Sequence, residues 1–158
     1  EPYRRQRQMC IRDRPYTAPG RPAAPDQFRI IPGRAALHTQ ASTTNNPLLS
    51  ELAPTNTLWI HKERAQALGI ADGDWVEVCT AAGPVGRLRA KVTTGIHPEA
   101  AFMLHGFGRK TPQETRAFGK GVADEACMIS GLEHEDPLGG GLALQEHFIT
   151  LRKAEETD

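Results

Sequence analysis

From about Phe28 onward, apolar and polar positions alternate in short runs, and Gly and Pro punctuate those runs at close intervals. Alternation with period two places successive side chains on opposite faces of a strand. Phe28 to Ile31, Leu58 to Ile60, Trp75 to Thr80, Val85 to Val92, Ala100 to Leu104 and Phe148 to Arg152 are the predicted strands. In the fourth, Val85, Arg87, Arg89 and Lys91 share one parity and Gly86, Leu88, Ala90 and Val92 the other. Trp59, Val76, Val78, Val92, Phe102 and Leu104 are the expected core positions. Lys62 to Leu68 reads as a short helix closed by Gly69, a residue suited to the left-handed position after a helix end. Ala71-Asp72-Gly73-Asp74 reads as a tight turn, its acids serving turn chemistry rather than metal or acid–base work. Gly83-Pro84 is the expected turn into the fourth strand. Six short strands with one or two short helices make the chain mainly β and favour a closed barrel, which leaves no free sheet edge.

Composition narrows the function classes. A chain of 158 residues allows one domain. With 39% hydrophobic residues and 15 Gly it has the apolar content of an ordinary globular core. Lys plus Arg and Asp plus Glu each total 19, and this neutrality argues against nucleic acid as a partner. No apolar run approaches the roughly 18 residues of a membrane span, and no signal peptide is evident. The charge is unevenly placed, however. Residues 1–22 hold six arginines against Glu1 and Asp13, with four prolines and no apolar periodicity. Residues 1–27 are therefore expected to be a disordered or non-native leader, the sharper alternative being a basic arm for RNA or a membrane surface. Residues 155–158 read as a tail.

Local metal chemistry finds no support. Cys10, Cys79 and Cys127 are far apart and the six histidines are scattered, so neither zinc nor an iron–sulfur cluster is expected in this chain. The unusual segment is His38-Thr39-Gln40-Ala41-Ser42-Thr43-Thr44-Asn45-Asn46, in which every position but Ala41 bears a hydroxyl, amide or imidazole. Alone, such a run is either a solvated connection or a loop built to satisfy a polar ligand. Gly139-Gly140-Gly141 lacks the strand–helix setting and the Lys-Ser/Thr of a nucleotide P-loop and reads as a flexible connection or a tight backbone approach to partner domains.

Three motifs in order carry a resemblance. Trp59-Ile60-His61, Ala65, Leu68-Gly69-Ile70, Asp72-Gly73-Asp74, Val76 and Val78 lead to Ala90-Lys91-Val92-Thr93 and Gly95-Ile96-His97-Pro98. Upstream lies His38-Thr39-Gln40 with Ser42 and Asn45-Asn46-Pro47-Leu48, and downstream Asp136-Pro137 with Gly139-Gly140, then Phe148 to Ala154. Together they resemble the C-terminal molybdopterin-dinucleotide-binding domain of the dimethyl sulfoxide reductase family of molybdenum and tungsten oxidoreductases, over about residues 28–154. The loop wording is most similar to the thiosulfate/polysulfide/tetrathionate reductase branch.

The resemblance implies a six-stranded double-psi β-barrel spanning residues 28–154 and a bis-molybdopterin guanine dinucleotide cofactor carrying Mo or W. Its implied contacts are His38, Thr39, Gln40, Ser42, Thr43, Asn45, His105, Gly106, Gly108, Arg109 and Glu125. The hydroxyl and amide groups would satisfy the buried polar ligand, Gly106 and Gly108 would let backbone approach it, and His105 or Arg109 would supply positive charge to the pyrophosphate. Relatives often carry Asn near Asp124-Glu125; an acid at Asp124 would repel phosphate, which leaves Glu125 to accept from guanine N–H groups. The implied partners are upstream domains of the same catalytic subunit and an iron–sulfur electron-transfer subunit. The chain is expected to be a fragment without turnover of its own, periplasmic if it serves a sulfur-compound reductase and otherwise cytoplasmic. Two alternatives are a separate small subunit of a formylmethanofuran dehydrogenase-like enzyme and a cofactor-free barrel acting as an adaptor.

Overall fold

The computed structural model describes residues 27–128, 138, 140 and 147–155. Residues 1–26 of the expected leader, the run Asp136-Pro137, and Gly139 and Gly141 therefore lie outside the described residues, while Gln27, the leader's last expected residue, opens the first strand. Six strands form a closed barrel: β1 Gln27–Gly33, β2 Thr57–His61, β3 Trp75–Thr80, β4 Gly83–Thr93, β5 Ala100–Leu104 and β6 Phe148–Lys153. Around it the order is β1-β5-β2-β4-β3-β6. The β1–β5 and β2–β4 pairs are parallel, and the other pairs are antiparallel. Exchanging the first three strands with the last three leaves this neighbour order unchanged and maps one parallel pair onto the other. Two interlocked halves of that kind make a double-psi β-barrel.

Strand parity decides what fills the barrel. Phe28 and Ile30, Leu58 and Ile60, Val76 and Val78, Leu88 and Ala90, Ala101 and Met103, and Ile149 and Leu151 all point inward and are buried. Trp59 and Phe102 correct the expected core, because each has the opposite parity to its buried neighbours. They meet on the outer face at 5.1 Å between ring centroids, and Lys91 covers the Trp59 ring at 4.0 Å. The Phe102 ring also takes the space a side chain at Gly33 would need, a Cβ there falling 2.1 Å from Cε2. Leu104 is likewise only partly buried.

Local signals set the connections. Helix α1, Pro47–Leu52, starts where Asn46 Oδ1 accepts from the Leu48 and Leu49 amides at 3.0 and 3.2 Å, with Pro47 in the first turn. Helix α2, Lys62–Ala67, ends at Leu68, where the Ile70 amide returns to the Ala65 carbonyl at 2.8 Å past Gly69 at φ 65°. The Asp72–Asp74 turn is structural as expected: Asp72 Oδ1 accepts from the Val92 amide and Asp74 Oδ2 from the Ala71 amide, each at 2.8 Å. Gly83-Pro84 differs from expectation. Both belong to β4, and the register slips between Val78 and Cys79, so the turn falls one step earlier, at Ala81-Ala82.

Strand direction then fixes where the long connections gather. β1 and β5 run parallel, so they leave the barrel at the same end, while β2 and β6 enter there. The two longest connections, from β1 to β2 and from β5 to β6, thus start and finish at one end of the barrel.

Candidate functional site

At that end, residues 34 and 105 follow the paired positions Gly33 and Leu104, and the His105 amide donates to the Gly33 carbonyl at 2.7 Å. A 3-10 turn over Gln40–Thr43 lies across the chain leaving β5. Gly106, at φ 97°, permits this: a Cβ there would stand 2.6 Å from both the Ala41 nitrogen and the Gln40 carbonyl carbon. Gly108, at φ 73°, does the same for a third segment, since its Cβ would fall 2.2 Å from the Ala123 nitrogen. The close approach these glycines allow is between the protein's own loops, which they press into one surface.

Polar side chains lock the three segments together. His38 is buried; its Nε2 donates to the Ala53 carbonyl at 2.9 Å, which leaves Nδ1 to accept from the Thr43 hydroxyl at 3.3 Å. Its ring meets Phe107 edge-on at 5.5 Å. Thr43 Oγ1 also receives the Thr39 amide at 2.8 Å. Asn45 Oδ1 accepts from the Arg116 and Ala117 amides at 2.9 and 3.3 Å. Asn56, fully buried, donates to the Leu104 and Val122 carbonyls and accepts from the Val122 amide. Sequence reasoning missed Asn56, whose signal was a lone amide directly before a strand. Arg109 grips Glu114 with two bonds of 2.7 and 2.9 Å, and that guanidinium holds the Glu114 carboxyl below its ordinary range.

A different set faces outward. Thr39, Gln40 and Ser42 are exposed on the turn, Gln40 with a left-handed φ of 50°. Arg34 is exposed where β1 ends and has no ion pair among the described residues; it is a cation at the site that sequence reasoning did not single out. His105 points its Nδ1 at the fully buried Asp124, 2.9 Å from each carboxylate oxygen, and 3.7 Å from Glu125 Oε1. Its Nε2 has no hydrogen bond among the described residues and reaches solvent. Cys127, beneath the cluster, has its thiol pushed up to about 12, chiefly by burial and then by Asp124.

The predicted residues therefore converge on one end of the barrel in two roles. His38, Thr43, Asn45, Gly106, Gly108 and Arg109 build the surface. Thr39, Gln40, Ser42, His105 and Glu125 present hydroxyl, amide, imidazole and carboxylate groups from it.

The family model described as "Molydopterin dinucleotide binding domain" matches residues 28–145, a stretch that runs from β1 through the first long connection and β2 to β5 into the second long connection. The chain belongs to the molybdopterin dinucleotide binding domain family. It is 38% identical over 97 residues to the thiosulfate reductase molybdopterin-containing subunit PhsA of Salmonella typhimurium (strain LT2), covering 61% of this chain and 13% of that protein. Its fold is similar to that of acetylene hydratase from Pelobacter acetylenicus, with a TM-score of 0.66 at 20% identity over 80% of this chain and 18% of that one. The chain thus spans less than one fifth of the length of either protein.

Membership implies a molybdopterin cofactor, and the surface suits one. A pterin dinucleotide combines heterocycle edges, ribose hydroxyls and a pyrophosphate. The outward set offers neutral donors and acceptors for the first two and, in Arg34, a cation for the third. Among the described residues no helix is long and apolar enough to cross a membrane.

Proposed function

We propose that this chain holds bis-molybdopterin guanine dinucleotide at the barrel end formed by residues 34–56 and 105–125, as one domain of the catalytic subunit of a molybdenum or tungsten oxidoreductase. The observation that carries this reading is the meeting of the two long connections at Gly106, which turns a polar sequence run into one side of a continuous surface. When bound, the cofactor supplies the metal centre and its redox chemistry through the pyranopterin dithiolenes. The chain's own residues bind and orient. The hydroxyls of Thr39 and Ser42 and the amide of Gln40 satisfy ligand polar groups that burial would otherwise leave unpaired.

The similarity to PhsA supports a sulfur-compound reductase, with a sulfur oxyanion or polysulfide reduced by two electrons delivered through a partner's iron–sulfur clusters. A larger host also fits the outer side of α1. Leu48 and Leu52, one turn apart, are 73% and 70% exposed, and Glu51 between them lies 4.0 Å from Arg116 of the second connection. Upstream domains of the same subunit would cover this apolar face beside the cofactor surface.

Thr39→Val with Ser42→Ala tests the reading, because both positions are exposed. Titrated with extracted pterin dinucleotide, the double variant is expected to bind the cofactor roughly thirtyfold more weakly than wild type, as two hydrogen bonds of about 1 kcal/mol each are lost. Its unfolding midpoint should stay unchanged. Cofactor affinity equal to wild type would overturn the loop assignment.

A further inference from the structure

The outer wall of the barrel carries one sign of charge. The strands hold Arg29, Arg87, Arg89, Lys91, Arg152 and Lys153 against a single acid, Glu77, although the chain as a whole is neutral. Glu77 offsets little of this: it lies 3.9 Å from Arg87 in an exposed pair and opposite Arg152 in register. Strand β4 gathers three of the cations, Arg87, Arg89 and Lys91, on one parity, all exposed and repeating at about 7 Å. An indole stands on either side of this ridge. Trp75 of β3 is opposite Arg89, whose guanidinium lies 4.4 Å from the ring centroid. Trp59 of β2 is opposite Lys91, at 4.0 Å, and Lys91 has no ion pair among the described residues. These are the two tryptophans of the chain. From Trp59 an apolar row continues across Phe102 of β5 to Ile31 of β1, and all three remain partly exposed.

Arginine and tryptophan beside a partly exposed apolar row are the residues enriched where proteins meet. The barrel is closed, so a partner cannot add a strand to an edge and must lie on the face of the sheet. An extended chain repeats its side-chain direction every second residue, and acids at alternate positions therefore match the ridge spacing of about 7 Å. We propose that the outer face of β4, with Trp59 and Trp75 beside it, docks an extended acidic segment of a partner protein whose carboxylates stand at alternate positions. A single-stranded nucleic acid fits less well, because its bases stack on aromatic rings and each indole here already carries a cation. β4 runs parallel to β2, which enters at the cofactor end, so Arg89 and Lys91 lie toward the far end and this surface is independent of the cofactor reading.

The experiment titrates the 158-residue chain at low ionic strength with two nine-residue peptides of one composition, three Glu and six Ser. One carries Glu at every second position and the other at every third. Extended, the first turns all three carboxylates toward the ridge, and the second can pair only one at a time. Tryptophan fluorescence and the backbone amide shifts of β4 read the binding, since both indoles stand on this wall. The first peptide is expected to bind about fivefold more tightly, at the modest strength of exposed ion pairs, and to lose that advantage as salt is added. Arg89→Gln with Lys91→Gln, both exposed positions, should bring the two peptides to equal affinity. Lys91→Gln alone, the milder change, should cut the preference about twofold. Lys110→Gln with Lys120→Gln removes the same charge from the second long connection and should leave the preference at fivefold. Equal affinity of the two peptides for wild type overturns the proposal, and so does an equal loss in both double variants, which would reduce the effect to net charge. Nine-residue oligothymidylate binding more tightly than a polyphosphate of equal charge would mean that bases stack on the indoles, and would overturn it as well.

Discussion

Asn56 holds both backbone polar groups of Val122: Oδ1 accepts from the Val122 amide at 3.0 Å and Nδ2 donates to the Val122 carbonyl at 2.8 Å. The same Nδ2 reaches the Leu104 carbonyl at 3.0 Å, so one fully buried amide ties the start of β2 to the end of β5 and to the segment leading to Asp124. Asn56→Ala strands three buried backbone groups. It is expected to cost about 2–4 kcal/mol of stability, measured by urea unfolding, and to speed hydrogen exchange around Val122. Asn56→Asp should be no better, since a carboxylate keeps the acceptor but removes both donor bonds and buries a charge.

Gly106→Ala meets two obstacles at once, a backbone at φ 97° and a loop 2.6 Å from the new methyl group. A loss of about 1–3 kcal/mol is expected, with the Gln40–Thr43 turn displaced from the β5 exit. Cofactor retention should fall further than stability alone explains, and comparing the unfolding midpoint with bound pterin per chain checks this. Gly69→Ala, where a Cβ would meet nothing within 4 Å, should leave retention unchanged despite the strain of its own φ of 65°.

The strands and a closed barrel were legible from the alternation of apolar residues because the barrel interior takes one parity of every strand, whereas the double-psi connectivity was implied only by the family resemblance. All six strands lie where the pattern places them. The same pattern misassigned Trp59 and Phe102, because parity within a short apolar run is ambiguous until the neighbouring strands fix the register. Helix α1 carried a legible signal, Asn46 capping before Pro47, but it sat at the end of a polar run that drew attention as a whole. At the site, residue type identified the polar loop and the Gly106/Gly108 pair. Which of these side chains turn inward depends on contacts across the chain: Asn45 to Arg116, Asn56 to Val122 and His105 to Asp124. No local pattern encodes them.

At the opposite end of the barrel the Lys153 ammonium lies 2.6 Å from Asp74 Oδ2, and that bond, with the Ala71 amide, holds the Asp74 carboxyl below its ordinary range. A folded-state value below the unfolded one, about 3.9, means the stabilisation is present above that pH and is lost as pH falls through the folded value. Wild type should therefore lose stability below about pH 4. Asp74→Asn should be less stable at neutral pH and lose less on acidification. Urea unfolding of both proteins at pH 7 and pH 3 is the measurement. Parallel losses in the two would show that other carboxylates control the acid limb.

Cys127 is buried, and its thiol is pushed up to about 12. Thiolate is the reactive form, so at pH 8 only about one thiol in ten thousand would be ionised even where reagent could reach it. Cys127 should resist iodoacetamide in the native protein and react once the segment carrying Asp124 opens. Asn56→Ala loosens that segment through Val122, and is expected to raise the Cys127 labelling rate at a urea concentration where wild type remains protected. Mass spectrometry of the peptide containing Cys127 reads the rate directly. An unchanged rate in the variant would mean that the Asn56 clamp and the cover over Cys127 open independently.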